Sequence, residues 1–190
     1  MILSMTGIVI VRPDETWPAQ YQKTAYTIGG VLGDLAQRID HIGSTAVPGL
    51  PAKDILDIQV TVADESELDQ VAQRMVAANW ELRPPRRDHL VPGLPADDAQ
   101  WVKRMLVEPM YRRRVNLHIR VAGRANQRYA LLFRDYLRSH PETARAYGAF
   151  KQHAATLRLE IGDYSDLKDP VCDLVYLPAE EWAARTGWTG

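Results

Sequence analysis

Hydrophobic positions recur with two different periods along this chain. Strand-like and helical stretches alternate up to about Val121, and the last third is helical in spacing alone. Ile8-Val9-Ile10-Val11 is β-branched and predicts a short strand. Tyr21, Ala25, Ile28, Leu32 and Leu35 then recur at helical spacing, with Asp14 as a cap and Pro18 early in the helix, despite Gly29-Gly30. Arg38 to Ile42 reads as a short strand. Ile55 to Val62 is β-branched and apolar, which suits the middle of a sheet. Asp64 to Ala78 predicts a helix with Leu68, Val71, Met75 and Val76 on one face, and Trp80 to Leu82 a strand. Arg83 to Asp98 is loop-like, rich in Pro, Arg and Asp. Trp101 to Glu108 and Arg114 to Val121 read as two more strands joined through Pro109 to Arg113, with alternation clearest in Val115, Leu117, Ile119 and Val121. After Gly123, Tyr129, Leu132, Phe133, Tyr136 and Leu137 mark one helix, and Pro141 starts a second that runs through Leu159. Pro170 and Pro178 predict a broken helix at the C-terminal end. This order predicts one α+β domain over residues 1–190, with helices packed on a mixed sheet.

One segment breaks the periodic pattern and carries chemistry. From His41 to Lys53 the chain reads HIGSTAVPGLPAK, a Gly-Ser turn followed by a Pro/Gly-rich loop with one lysine. The strand that follows holds Asp57 among apolar neighbours. A small turn with outward-facing backbone N–H groups can cradle phosphate, and a nearby lysine can neutralise it. A strand aspartate can hold a divalent cation, which prefers oxygen ligands. Each residue also has a plainer role. Gly43 to Gly49 fits a structural turn. Asp57 fits a salt-bridged strand end, Lys53 the surface, His118 a core histidine bonded to backbone, and His41 a support for the loop.

Composition narrows the setting. The chain has 190 residues, enough to bury a core without disulfides. Its net charge of −1 gives no global field favouring nucleic acid or an anionic membrane. The arginine runs at Arg83, Arg86, Arg87 with His89, and at Arg112 to Arg114, have few interleaved aromatics. They read as solvated charge or contacts to a substrate phosphate rather than a nucleic-acid track. A single cysteine, Cys172, excludes an internal disulfide and a cysteine-based zinc cage. No apolar run reaches membrane-spanning length, Met1 to Val11 lacks the pattern of a signal peptide, and a cytoplasmic location is expected.

Several stretches together resemble the GrpB family, also called UPF0157. They are His41 to Lys53, Leu56-Asp57-Ile58, Leu117-His118-Ile119, Phe133 to Arg138 (FRDYLR), His140-Pro141, Tyr147 and Lys151, with Tyr164 and Lys168 fitting a later tyrosine–lysine pattern. The resemblance implies a nucleotidyltransferase-like fold, a mixed β-sheet flanked by helices with a helical C-terminal third. It also implies kinship with an accessory domain fused to some dephospho-CoA kinases. This chain has no G-x-x-x-x-G-K-[ST] loop of its own.

Nucleotide-transferring enzymes of that superfamily follow a Gly-Ser turn with a strand bearing two carboxylates at alternate positions, which share a face. A third carboxylate comes from a neighbouring strand. Here Gly43 and Ser44 fit the turn and Asp57 the first carboxylate, but Gln59 stands in the second place and His118 in the neighbouring-strand place. The resemblance therefore implies a nucleotide or other phosphorylated small molecule as ligand. Gly43, Ser44, Thr45 and Lys53 would lie on phosphate, with Asp57 and His118 as metal ligands or acid/base for Mg²⁺ or Mn²⁺. Arg134 and Arg138, four apart on one helix face, read as a phosphate clamp. Asp135 reads as an internal partner of arginine, and Lys151 and Lys168 as further anion contacts. Three functions stay open: a metal-dependent nucleotidyltransferase, which the intact loop favours; a binding or folding-accessory module without chemistry, which the incomplete acid set favours; and an enzyme of different chemistry that reuses the pocket.

Overall fold

A computed structural model describes residues 8–85, 88–94, 96–108 and 113–190. Arg86, Arg87, Arg112 and most of the connection expected over Pro109 to Arg113 lie outside the described residues. The elements are α1 (Trp17–Leu32), β1 (Arg38–Ile42), β2 (Leu56–Val62), α2 (Glu67–Ala77), β3 (Glu81–Leu82), β4 (Arg104–Val107), β5 (Val115–Val121), α3 (Ala125–Ser139), α4 (Pro141–Thr156) and α5 (Ile161–Thr186). The strands form one mixed sheet in the order β1-β2-β5-β4-β3. Only β2 and β5 run parallel, and they pair in register from Leu56↔Val115 to Val62↔Val121.

Strict alternation in these two strands builds the molecule. Leu56, Ile58, Val60 and Val62 of β2 and Val115, Leu117, Ile119 and Val121 of β5 point to one face. There they pack on Ile28 and Leu32 of α1 and on Leu68, Val71 and Met75 of α2. The interleaved residues, Asp57, Gln59 and Thr61 on β2 and Asn116, His118 and Arg120 on β5, share the opposite, polar face. α3, α4 and α5 lie on that side. Their own apolar cluster of Leu132, Leu137, Tyr147, Val175 and Tyr176 takes in Val47 and Leu50 of the loop after β1, with Val91 and Trp101. A polar sheet face beneath a separately cored helical layer leaves a cleft between them.

Three expectations change. Ile8 to Val11 is not a strand; Val11 makes one bridge to Ala52, since no neighbour continues the ladder. Val76 is 45% exposed, on the outer side of α2. α5 is unbroken through Pro170 and Pro178. A proline there deprives the carbonyl four residues earlier of its partner. Those carbonyls belong to Asp166 and Leu174, both exposed like the prolines, so water can satisfy them.

Replacing Pro178 by Ala restores a helical N–H at an exposed position. The helix-interior penalty of proline is about 3 kcal/mol, and the stiffness it gives the unfolded chain offsets up to about 1 kcal/mol of that. Pro178→Ala is therefore expected to stabilise the protein by about 2–3 kcal/mol in urea unfolding. A loss of stability would show that the helix is built around the proline.

Candidate functional site

The loop after β1 is shaped by a glycine that no other residue can replace. Gly43 sits at φ 68° and ψ −169°, a region essentially closed to side chains. A Cβ on it would meet Asp57 Oδ2 at 2.5 Å. The positive φ throws the chain into a 3₁₀ turn over Ser44–Ala46, in which the amides of Ala46 and Val47 bond the carbonyls of Gly43 and Ser44. The amides of Ser44 and Thr45, at the start of the turn, stand outside that ladder.

Basic side chains from the helical layer fasten the loop. Arg134 of α3 donates to His41 O at 3.0 Å, and Arg138 to Ala46 O at 2.9 Å. Lys151 of α4 donates to Ser44 Oγ at 2.8 Å and to Pro51 O at 2.5 Å. α4 comes this near because its residue 148 is glycine; a Cβ there would lie 3.1 Å from Pro51 Cδ. His41 completes the clasp, stacked on Tyr21 at 4.7 Å with Nε2 against Thr45 Oγ1 at 2.9 Å. Burial and the nearby Arg138 push the His41 imidazole down to about 4. The supporting role read for His41 fits this geometry.

The expected arginine clamp takes a different form. Arg134 also grips Asp135 at 2.7 and 3.0 Å and is nearly buried, and neither it nor Arg138 lines the cleft. Arg134 spends its fork on His41 O and Asp135, and Arg138 bonds Ala46 O and Asp135, so both shape the turn from behind.

Within the cleft, the structure brings Ser44, Thr45, Lys53, Asp57, His118, Lys151 and Lys168 around one cavity of about 380 Å³. Asp57 Oδ1 accepts from Asn116 Nδ2 at 2.9 Å and stands 3.6 Å from His118 Nε2. Burial opposes the Asp57 charge, but His118, Asn116 and Lys168 outweigh it and hold the carboxyl below its usual range. Burial lowers His118, with Arg120 and Lys103 adding to the effect and Asp57 opposing it. His118 Nδ1 is buried without a hydrogen-bond partner. Lys53 lies over the Tyr164 ring at 4.6 Å, and its pKa is lowered by burial and by Lys168. Four lysines (Lys53, Lys103, Lys151 and Lys168) and one carboxylate, Asp57, line this cavity. The balance favours an anion.

A second cavity of about 620 Å³ adjoins the first and shares Ser44, Asp57, His118 and Lys168 with it. Trp101, Tyr129 and Phe133 make it aromatic. Asp88 at its edge takes Arg120 at 3.0 Å, Lys103, and Asn126 Nδ2 at 3.2 Å. His89 reaches α5 through Asp173 at 2.9 Å. Asn126 is 1% exposed; its Nδ2 also donates to Val102 O, which fixes the amide, and its Oδ1 is left without a partner. Asn116, Lys103, Asp88 and Asn126 escaped the sequence reading. The alternation on β5 that marked Val115 and Leu117 as core also marks Asn116, His118 and Arg120 as one polar face, so Asn116 was within reach.

The residues present do not fit a resident Mg²⁺ or Mn²⁺. Gln59, in the place of the second carboxylate, is fully buried and accepts from Arg120 at 2.8 Å. Among the described residues no three His, Cys, Asp or Glu side chains gather to hold a metal. One carboxylate beside four lysines lacks the oxygen-rich cage such ions require.

The model of the GrpB protein family matches residues 7–177. The chain belongs to the GrpB family. A crystal structure of GrpB from Enterococcus faecalis superposes with a TM-score of 0.73 at 26% identity, covering 92% of this GrpB chain and 99% of that one. The dephospho-CoA kinase of Mycolicibacterium paratuberculosis is 35% identical over 98% of this chain and 49% of its own length, so the chain spans about half of that relative. Cid1 poly(U) polymerase bound to MgGTP shares the fold alone, with a TM-score of 0.51 at 14% identity over 77% of this chain and 44% of Cid1. The GrpB chain thus carries a nucleotidyltransferase-like fold, and no helix among its described residues is long and apolar enough to cross a membrane.

Two outcomes follow from the loop. Gly43→Ala forces a closed backbone region and a contact with Asp57; chemical unfolding should show a loss of about 1–3 kcal/mol or more, whereas Gly49→Ala, which meets nothing within 4 Å, should lose less. For His41 the folded imidazole titrates at about 4 against 6.5 when free. Between those values the unfolded chain binds more protons, so stability climbs as pH rises from 4 to 6.5 and is lost as pH falls through the folded value. The contribution is about 3 kcal/mol. His41→Gln should flatten the slope of unfolding free energy across that window; an unchanged slope would assign the acid sensitivity to another group.

Proposed function

We propose that this GrpB-family protein binds a nucleotide or closely related phosphorylated small molecule in the cleft, without a resident metal and without two-metal nucleotidyl transfer. The observation that carries the reading is the lining of the first cavity beside the Gly-Ser turn, where Lys53 and Lys168 face the one carboxylate Asp57 while Lys103 is paired with Asp88 and Lys151 is engaged by the loop. Phosphate oxygens would take Lys53, Lys168 and the outward amides of Ser44 and Thr45. The adjoining aromatic cavity, with Trp101, Tyr129 and Phe133, would receive a planar base. The orphaned Asn126 Oδ1 offers an acceptor to an amino or ring N–H of that base. Asp57 and His118 would face the ligand from the sheet, Asp57 as acceptor for a hydroxyl and His118 through a ring nitrogen.

The lysines take the place that metal ions hold in the transferases. They neutralise phosphate but do not supply the paired Lewis acids that activate an attacking hydroxyl. Gln59 bound to Arg120 favours this binding role over metal-dependent transfer. The similarity to one half of a dephospho-CoA kinase fits a module that holds a phosphorylated compound.

Thermal shift against a panel of nucleoside phosphates, in Mg²⁺ and in EDTA, tests the reading. A ligand at about a hundred times its Kd stabilises by about 2.7 kcal/mol. The expected result is a shift of equal size in both buffers. Lys168→Ala and Lys53→Ala should each weaken binding by about 1–2 kcal/mol in calorimetry. A strict need for Mg²⁺ or Mn²⁺ would restore the transferase reading, and no shift with any phosphate would remove the nucleotide.

A further inference from the structure

Lys151 is an unusual lysine for an anion pocket. It is 3% exposed, and among the described residues no carboxylate pairs with it. Burying an unpaired ammonium is costly, whereas burying a neutral amine costs far less. A neutral amine has two N–H donors and one lone pair. As an ammonium, Nζ donates to Pro51 O at 2.5 Å and to Ser44 Oγ at 2.8 Å; with one proton gone and Pro51 O still taking an N–H, the lone pair can face the Ser44 hydroxyl across that same contact. Ser44 in turn stands where the two cavities meet and lines both. Its hydroxyl is thus held against a buried base and opens on a cleft whose other lysines attract phosphate.

We propose that Ser44 and Lys151 form a nucleophile–base pair, with Ser44 Oγ attacking the phosphorus of a phosphoric anhydride bound in the cleft. The proposal rests on the anion-binding reading only in using the same cavity. In the step, the Ser44 proton passes to Lys151 Nζ and a bond forms between Oγ and phosphorus. The P–O bond to the leaving phosphate breaks, and the leaving group departs with the electron pair and takes the proton back from Lys151. The product is a phosphoester on Ser44, which water hydrolyses by the same proton path. Lys53 and Lys168 neutralise charge on the phosphoryl oxygens. Gly148 and Pro51 position the base: one lets α4 approach the loop, the other fixes the amine by its carbonyl.

The base is in the right protonation range. Burial and the neighbouring Lys168 push Lys151 down to about 7, against the opposing pull of Cys172 and Asp57. The charged and titratable groups around it are Asp57 and His118 from the sheet, Lys103 just before β4, Lys53 from the loop, Tyr147 on its own helix, and Tyr164, Lys168 and Cys172 on α5.

Diisopropyl fluorophosphate is the probe, since it is uncharged and needs no affinity for a nucleotide site; fluoride leaves in place of phosphate. Peptide mapping of the treated full chain should find the label on Ser44. Its rate should rise about tenfold per pH unit and level off above about pH 7, as the base loses its proton. Ser44→Ala should lose the label. Lys151→Met and Lys151→Arg, checked for cooperative melting, should slow it at least about tenfold, because neither side chain can take a proton there. An unlabelled Ser44 in the unmodified protein, a rate flat from about pH 5 to 9, or a folded Lys151→Arg protein that labels as fast as the original would each overturn the pair. The pH profile needs no variant, so a variant that fails to fold does not decide the matter. Labelling without nucleotide binding would remove the ligand proposal alone, and binding without labelling the nucleophile alone.

Discussion

Bonding the carbonyls of the loop between β1 and β2 is the constraint on which the rest of the site depends. The loop is pressed between a sheet and a helical layer, where water cannot serve its backbone, so its carbonyls need donors from the protein. Arg134, Arg138 and Lys151 provide them at His41, Ala46 and Pro51. Charge-assisted bonds of this kind are roughly twice as strong as neutral ones, and here they also join the two layers. The cleft is the space left between layers so tied. Its shape follows from where these three long side chains end, and its charge from the lysines that are not used up in tying.

Much of the fold is legible in the residues. β1 has the limits its sequence suggests, β2 and β5 differ from expectation by a residue, and α3 and α4 begin close to where Gly123 and Pro141 place them. Short-range periodicity carries that information. The uninterrupted α5 is less legible, because a proline marks the lost hydrogen bond in sequence but not whether the freed carbonyl faces water. The pairing of β2 with β5 rather than with its successor β3 is set by which strands bury best, a property of the assembled sheet.

The site shows the same division. Gly43, Ser44, Asp57 and His118 were recognisable because a motif fixes their spacing, and the structure gathers them at the larger, aromatic cavity. Arg134 and Arg138 have the right charge and helical spacing for a clamp, yet spacing cannot tell an arginine that faces a ligand from one that faces a carbonyl. Lys103, just before β4, and Asp88, in the preceding loop, carry no motif and meet only in the folded chain. Asn126 depends on which amide atom is spent, and that is visible only in three dimensions.

The bonds that tie the loop also govern when it can form. Lys151 meets Ser44 across 107 residues of chain, and Arg134 meets His41 across 93. Asp57 and Asn116, on the parallel pair, are 59 apart. Contacts of such separation close late, because the chain must surrender its loop entropy before they repay it. A ribosome that has released only the sheet has therefore made a protein with a floor and no pocket. Until the last three helices emerge and dock, the Gly-Ser turn has nothing to hold it. A cleft built this way cannot take its final shape until α3, α4 and α5 have left the ribosome and docked.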